Sequence, residues 1–329
     1  MPFDIELERG TPVAMKNRRP AVLASACGLL LLTAPVAIAA PNPPSAPAPS
    51  DGTQADSSLV RIVTYNAQYK RSPAEVVADI RKIMREGADV IGLQEMGGMR
   101  RRTSVREKLV DCASCRYDAY LDNTGVQNAT PILYKSAKFR LLSTGWRQLS
   151  DTTYVGRAGA GPATLKPKFV NYVELRHRVT DRTIYVLNSH AVASVQARDG
   201  GRNTKHPARL RLYRQHMDGL KSLITKLRAT GDPVFSTGDF NVNYRRDSVV
   251  RDPMFPYVNM REVDVHASYE YLGMPDIGTH PLANGNNTRL IDYVFYLDHS
   301  AVTPRKQEIL QGYGSDHRPV MVRFALDRR

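Results

Sequence analysis

The chain repeatedly sets acid–base and metal-binding residue types against the ends of apolar, β-rich runs. Gly314-Ser315-Asp316-His317-Arg318-Pro319 leads into the apolar run Met321 to Phe324. Upstream lie Asp292 in Arg-Leu-Ile-Asp-Tyr, Asp239 and Asn241 in Gly-Asp-Phe-Asn, and His190 in Asn-Ser-His. Further upstream come Glu95 in Leu-Gln-Glu and Asn66 in Thr-Tyr-Asn. A lone Asp-His pair is weak evidence, because many surface loops carry one. The repetition is what counts. Carboxylates, amides and imidazoles gathered at strand ends make a sheet-edge site for a hard cation or a phosphate. Hydrolysing a phosphate ester brings water onto an anionic phosphorus, so the site must cancel charge before it adds a nucleophile. A carboxylate after a buried strand suits Mg²⁺, which keeps its waters and takes few protein ligands. A His held by a carboxylate has a fixed tautomer and raised basicity. Asp239 and Asn241, two apart on a strand end, point the same way and can grip water and a phosphoryl oxygen together.

The elements that must position these residues are legible in outline. Leu59 to Thr64 and Asp89 to Leu93 read as buried strands. Between them Pro73 to Glu86 reads as a helix, with Val76, Val77, Ile80, Ile83 and Met84 on one face and Pro73 at its start. Ala129 to Tyr134 and Phe139 to Leu142 read as a hairpin, and Ser150 to Pro167 as a mobile, Gly- and Pro-rich surface loop. Phe169 to Leu175 and Thr183 to Ser189 pair across a polar turn. The clearest helix runs from Pro207 to Ala229 on Leu210, Tyr213, Met217, Leu220, Ile224 and Leu227, which leaves His216 on its exposed side. Val234 to Ser236, Leu290 to Tyr296 and Val320 to Ala325 complete the strands. Strands and helices mixed in this way predict two packed mixed β-sheets flanked by helices.

Thr-Tyr-Asn66, Leu-Gln-Glu95, Asn-Ser-His190, Gly-Asp239-Phe-Asn241, Ile-Asp292-Tyr and Ser-Asp316-His317, in that order from Val60 to Phe324, resemble the endonuclease/exonuclease/phosphatase superfamily. Within it the chain looks most like the secreted deoxyribonuclease I-like nucleases. The resemblance implies an α/β four-layered sandwich and a divalent-metal-dependent phosphodiesterase cleaving DNA, and RNA as well, with little sequence preference. It implies Mg²⁺ on Glu95, with Asn66 and Asp316 in support, Mn²⁺ as a substitute and Ca²⁺ as a structural ion. It implies His190, Asp239, Asn241, Asp292 and His317 as catalytic residues, with Asp292 orienting His317. Asn128, Arg157 and Arg289 fall where substrate contacts are expected, as do Lys166, Lys168, Arg198 and Arg202, while Tyr154, Tyr244 and Tyr269 offer stacking surfaces. One departure stands out. Deoxyribonuclease I-like enzymes pair the first catalytic His with a Glu just before the Pro131-to-Tyr134 run, where this chain has Gln127-Asn128. An amide orients a His but does not stabilise its charge, which keeps a sphingomyelinase-like enzyme, a phosphoinositide phosphatase and a toxin-type nuclease subunit as alternatives.

The formal net charge is +14, and Lys16, Arg18 and Arg19 precede the apolar run Ala21 to Ala39, which ends in the cleavage-like Ala37-Ile38-Ala39. Residues 1–39 therefore read as a signal peptide, 40–58 as a Pro/Ala/Ser-rich linker and 59–329 as one catalytic domain. Cleavage near Ala39 removes four basic and three acidic residues and leaves +13. A secreted monomer with no membrane anchor and a polyanionic substrate is the expectation. In an oxidising compartment Cys112 and Cys115 are expected to close a local disulfide.

Overall fold

The computed structural model describes residues 58–121, 128–155, 163–281 and 288–329, all within the unit Thr53–Arg329. The leader and almost all of the linker lie outside the described residues. In chain order come β1 (Leu59–Asn66), α1 (Pro73–Arg85), β2 (Val90–Gln94), α2 (Met99–Val105), β3 (Tyr117–Tyr120) and β4 (Ile132–Lys135). Then follow β5 (Phe139–Ser150), β6 (Thr153–Val155), β7 (Ala163–Leu165), β8 (Lys168–His177), β9 (Thr183–His190), α3 (Pro207–Arg228) and β10 (Val234–Asp239). The chain ends with α4 (Tyr244–Val250), α5 (Pro256–Arg261), β11 (Val265–Ala267), α6 (Ser268–Leu272), β12 (Asp292–Leu297), β13 (Val302–Ile309) and β14 (Val320–Leu326).

Two six-stranded sheets form, in the orders β13-β14-β1-β2-β4-β3 and β11-β12-β10-β9-β8-β5. Each has one parallel pair at its centre, β1 with β2 and β9 with β10, and antiparallel neighbours outside it. Parallel strands end at the same edge, and an antiparallel neighbour starts there. That edge therefore collects Asn66, Glu95, His190 and Asp239 from strand ends, and Asp292 and Asp316-His317 from strand beginnings. Ligand sites at the carboxyl ends of parallel strands follow the same logic.

Burial on both faces explains the continuous apolar runs. In β1, Val60 and Ile62 join the core between the sheets, while Val63 and Tyr65 pack against Val76, Val77, Ile80 and Ile83 of α1. Ser72 caps α1 and Glu75 returns the bond to the Ser72 amide at 2.8 Å, a capping box with Pro73 at the first turn. On the far side α3 lays Leu212, Tyr213, Met217, Leu220 and Ile224 onto the second sheet. The layers are helix, sheet, sheet, helix. No described helix is long and apolar enough to cross a membrane.

Several expected elements differ. Ala129 to Tyr134 and Phe139 to Leu142 are not a hairpin: β4 pairs with β2 and β3 in the first sheet, while β5 pairs with β8 in the second. The three-residue Ser136–Lys138 link crosses between sheets because Phe139 is buried opposite His177. The Ser150-to-Pro167 loop contains the paired strands β6 and β7. His216 is fully buried, not exposed, with Nε2 3.2 Å from Ser189 Oγ and its ring edge-on to Phe240. Cys112 and Cys115 are disulfide-bonded to each other, as expected.

Candidate active site

The first sheet brings Asn66 and Glu95 to the shared edge. Gln94 ends β2, and Glu95 then takes a left-handed backbone conformation (φ 61°) that breaks the strand alternation. Arg101 holds the Glu95 carbonyl at 3.1 Å, and the Tyr69 amide donates to Glu95 Oε2 at 2.6 Å. Asn66 Nδ2 donates to Glu95 Oε1 at 3.3 Å and, across the sheets, to Asp239 Oδ2 at 3.0 Å.

The second sheet supplies the rest. Asp239, nearly fully buried, accepts the Asn241 amide on Oδ1 at 2.9 Å. Its Oδ2 lies 3.4 Å from His190 Nε2 and 3.8 Å from His317 Nε2. Asn241, also left-handed (φ 55°), places Nδ2 3.3 Å from His190 Nε2 and 3.2 Å from the Ala191 carbonyl. Asp292 is fully buried, with its two oxygens 3.0 and 2.9 Å from His317 Nδ1. The loop bearing His317 is tied to the first sheet: Ser315 Oγ donates to the Asn66 carbonyl at 2.7 Å and accepts the His317 amide at 3.0 Å. Beneath that loop Asp79 of α1 accepts Tyr65, Arg71 and the Gly314 amide.

Electrostatics separate the two imidazoles. Burial, then the nearby Lys168, His317 and His216, push His190 well below its ordinary range, so it is neutral. Burial also opposes charge on His317, but Asp292 and then Asp239 overcome it and raise the ring to about 9. Burial and the like charge of Asp292 push Asp239 up to about 7. Lys168 and Arg289 are lowered by burial, while Asp239 pulls both the other way, together with Glu95 for Lys168 and Asp292 for Arg289. Both cations therefore lie within electrostatic reach of the carboxylates.

Two donor groups offer themselves to a metal. Asp239, Asp292 and His317 have ligand atoms within 4.8 Å of one another. There, however, His317 Nδ1 is already committed to Asp292. The Glu95 side offers hard oxygens in a partly exposed position, and those fit Mg²⁺ better. Asp316 is exposed, and its Oδ1 takes a 3.4 Å contact from Ser315 Oγ.

Of the expected site residues, Asn66, Glu95, His190, Asp239, Asn241, Asp292 and His317 converge, and Arg289 approaches with them. Arg157 lies outside the described residues. Asn128, in a turn, makes no hydrogen bond to His190 among the described residues, and His190 is held by Asp239 and Asn241 instead. Tyr244 and Tyr269 are buried, and Tyr269 donates to the Asp292 carbonyl at 2.6 Å, so neither is a stacking surface. Arg202 is held bidentately by Asp252 at 2.7 and 2.8 Å. His280 escaped the sequence reading: its ring packs edge-on to His317 at 4.6 Å and its Nδ1 lies 3.4 Å from Arg289. Nothing in its Thr-His-Pro surroundings marks it. Tyr69, 65 % exposed beside Glu95, was also missed.

The sequence profile of the Endonuclease/Exonuclease/phosphatase family matches residues 63–317. No curated protein matches the chain in sequence. Among solved structures, an endonuclease/exonuclease/phosphatase family protein from Bacteroides thetaiotaomicron is similar, with TM-score 0.61 and 17% identity over 82% of this chain and 95% of that one. The mannosyl-6-phosphatase Bt3783 of the same organism gives TM-score 0.59 and 16% identity over 80% and 99%. D. rerio TDP2 complexed with single strand DNA product gives TM-score 0.56 and 15% identity over 81% and 99%. At these identities the structural likeness establishes the fold alone.

Proposed function

The chain belongs to the endonuclease/exonuclease/phosphatase family, whose members are metal-dependent phosphoester hydrolases, and on that premise we propose that it is a secreted Mg²⁺-dependent endonuclease. Its substrate in this reading is DNA, with RNA as a second, and it stands nearest the deoxyribonuclease I-like nucleases. The observation that carries the reading is the bridge of Asn66 between Glu95 and Asp239, which brings a cation-binding carboxylate of one sheet against the phosphate-facing residues of the other. A divalent cation on Glu95 and Asn66 would supply charge neutralisation at the phosphate and a more acidic bound water.

The protein's own residues divide the remaining work. Asp292 fixes His317 by Nδ1 and leaves Nε2 for the reaction. A ring raised to about 9 is protonated at neutral pH and faces the phosphate as a cation and proton donor. Asp239, raised to about 7, accepts the proton of the attacking water. Neutral His190 and the Asn241 amide hydrogen-bond the phosphoryl oxygens, and Lys168 and Arg289 flank them.

A small part of the positive charge is internal. Arg101 and Arg102 are buried and hold the Glu95 and Met96 carbonyls, and Lys138 pairs with Asp89 at 2.8 Å. Exposed Lys70, Arg100, Lys166, Arg198 and Arg246 remain for a polyanion. The test is conversion of supercoiled plasmid by the purified protein with Mg²⁺, beside EDTA and His317→Ala samples. Nicking lost in both controls supports the reading. An intact plasmid with hydrolysis of sphingomyelin or a phosphoinositide replaces it with the lipid-directed alternative.

A further inference from the structure

Directly beneath the catalytic side chains, the space between the sheets is polar. Gln94 Nε2 donates to Asn188 Oδ1 at 2.7 Å and to Thr64 Oγ1 at 3.1 Å. Asn188 Nδ2 donates back across the gap to the Leu93 carbonyl at 2.7 Å and the Pro131 carbonyl at 3.0 Å. Thr237 Oγ1 completes the cluster, 3.1 Å from Asn188 Oδ1 and 3.0 Å from the Leu187 carbonyl. Thr64, Gln94, Asn188 and Thr237 are all fully buried.

Their positions repeat a pattern. Thr64, Asn188 and Thr237 each stand two residues before Asn66, His190 and Asp239, on the same strand and face. Gln94 immediately precedes Glu95. The cluster is thus one layer below the site on β1, β9 and β10, and Gln94 of β2, level with Asn66, reaches down into it. Gly92 makes room for it: a Cβ there would lie 2.1 Å from Thr237 Oγ1 and 2.9 Å from the Asn188 amide.

Stability does not account for this arrangement. Glycine weakens a strand interior, and buried polar groups cost more than apolar filling unless fully satisfied. Gln94 Oε1 has no hydrogen-bond partner among the described residues. What hydrogen bonds supply and apolar contacts do not is direction.

We propose that Thr64, Gln94, Asn188 and Thr237 are positioning residues that set the separation and register of the two sheets, so that Asn66 and Glu95 meet Asp239 and His190. The proposal rests on the hydrolase reading of that site. Asn188 is its hub, because it joins β9 to β2, to Pro131 beside β4 and to β10.

The test compares Asn188→Leu, Thr237→Val and Thr237→Ser with wild type. The readouts are kcat and KM on bis(p-nitrophenyl) phosphate, thermal melting, and the Asn66–Asp239 separation in crystal structures. Misplacement by about 1 Å costs on the order of a hundredfold in rate. Asn188→Leu is expected to lose about that much kcat with KM within about twofold and an undiminished melting temperature. Thr237→Val is expected to lose about tenfold and Thr237→Ser to restore it. In Asn188→Leu the Asn66–Asp239 contact, 3.0 Å in the native protein, opens beyond hydrogen-bond reach. Native kcat with that contact intact in both Asn188→Leu and Thr237→Val overturns the proposal. So does a kcat loss that only tracks melting, or a Thr237→Ser as impaired as Thr237→Val. If wild type hydrolyses no phosphate ester, the hydrolase reading fails, and the crystallographic separation alone decides the positioning role.

Discussion

Replacing Asp292 by asparagine removes the charge beneath His317 and keeps the shape. In the native protein the two carboxylate oxygens lie 3.0 and 2.9 Å from His317 Nδ1, in full burial. Burial alone would depress the imidazolium, yet the ring rises from 6.5 to about 9. That rise corresponds to about 3 kcal/mol in favour of the charged ring, at ~1.4 kcal/mol per pH unit. Asp292 acts on the ring more strongly than Asp239. Without it, burial is opposed mainly by Asp239, and His317 is expected to titrate roughly two pH units lower. Asp239 loses a like charge at the same time, so its pKa falls too. Imidazole ¹⁵N NMR of the protein in EDTA reads the first effect directly. Kinetics with Mg²⁺ read both, as a pH–rate profile displaced toward acid on both limbs, with kcat down about a hundredfold from loss of an oriented proton donor. The folding linkage has the matching sign. Stability from this raised His is full below pH 6.5 and lost as pH climbs through about 9. The variant lacks that decline. A His317 titrating at its native pH in Asp292→Asn, or limbs that stay in place, would refute the reasoning.

Other perturbations test other parts. Burial raises Asp247 from 3.8 to about 7, so its favourable contribution is present below pH 4 and lost as pH rises to 7. Asp247→Asn keeps the acceptor for the Tyr257 amide, and its stability relative to wild type should grow by about 4 kcal/mol between pH 4 and 8 in urea titrations; a gap independent of pH counts against this. Gly92→Ala forces a methyl against Thr237 and is expected to lower stability by ~1–3 kcal/mol; an unchanged melting temperature means the sheets separate more easily than argued. Glu95→Gln should weaken Mg²⁺ binding in calorimetry at least about tenfold, and native affinity would move the cation site elsewhere. Lys168→Met should raise KM several-fold, roughly, and flatten its salt dependence while changing kcat less; the reverse split would make Lys168 a reaction-step residue.

The polar strand ends of the candidate site were legible because each polar residue interrupts a run whose apolar character reports burial on both faces. Glu95 after Ile-Gly-Leu-Gln and Asp239 after Phe-Ser-Thr-Gly are examples. The sheet assignment of β5 was not legible. Local spacing describes a short turn equally well whether the next strand folds back or crosses to another sheet, and the burial of Phe139 against His177 decides it only in three dimensions. β13 was missed because an edge strand with Pro304 at a bulge and Arg305, Lys306 and Glu308 on it carries no apolar alternation. His216 was misplaced by one helical position: the apolar face of α3 is wider than its three-and-four spacing suggests, since the helix also packs over Ser189 and Phe240. His280 has no sequence signal, because its meaning comes from a ring contact across 37 positions in the chain.

β1 pairs with β14 from Leu59↔Ala325 to Thr64↔Val320. In biosynthetic terms, the first strand to be made waits for the fourteenth. A nascent chain halted before Val320 has a bare β1 edge, and one halted before Asp316 has no His317 either. Closure is a long-range event, slow by its contact order, and no half of the site works without it. Catalytic competence is therefore expected to appear in one step once β14 is present, which a series of C-terminal truncations assayed for hydrolysis would reveal as a cliff and not a slope. A hydrolase laid out this way is silent in any fragment that lacks β14.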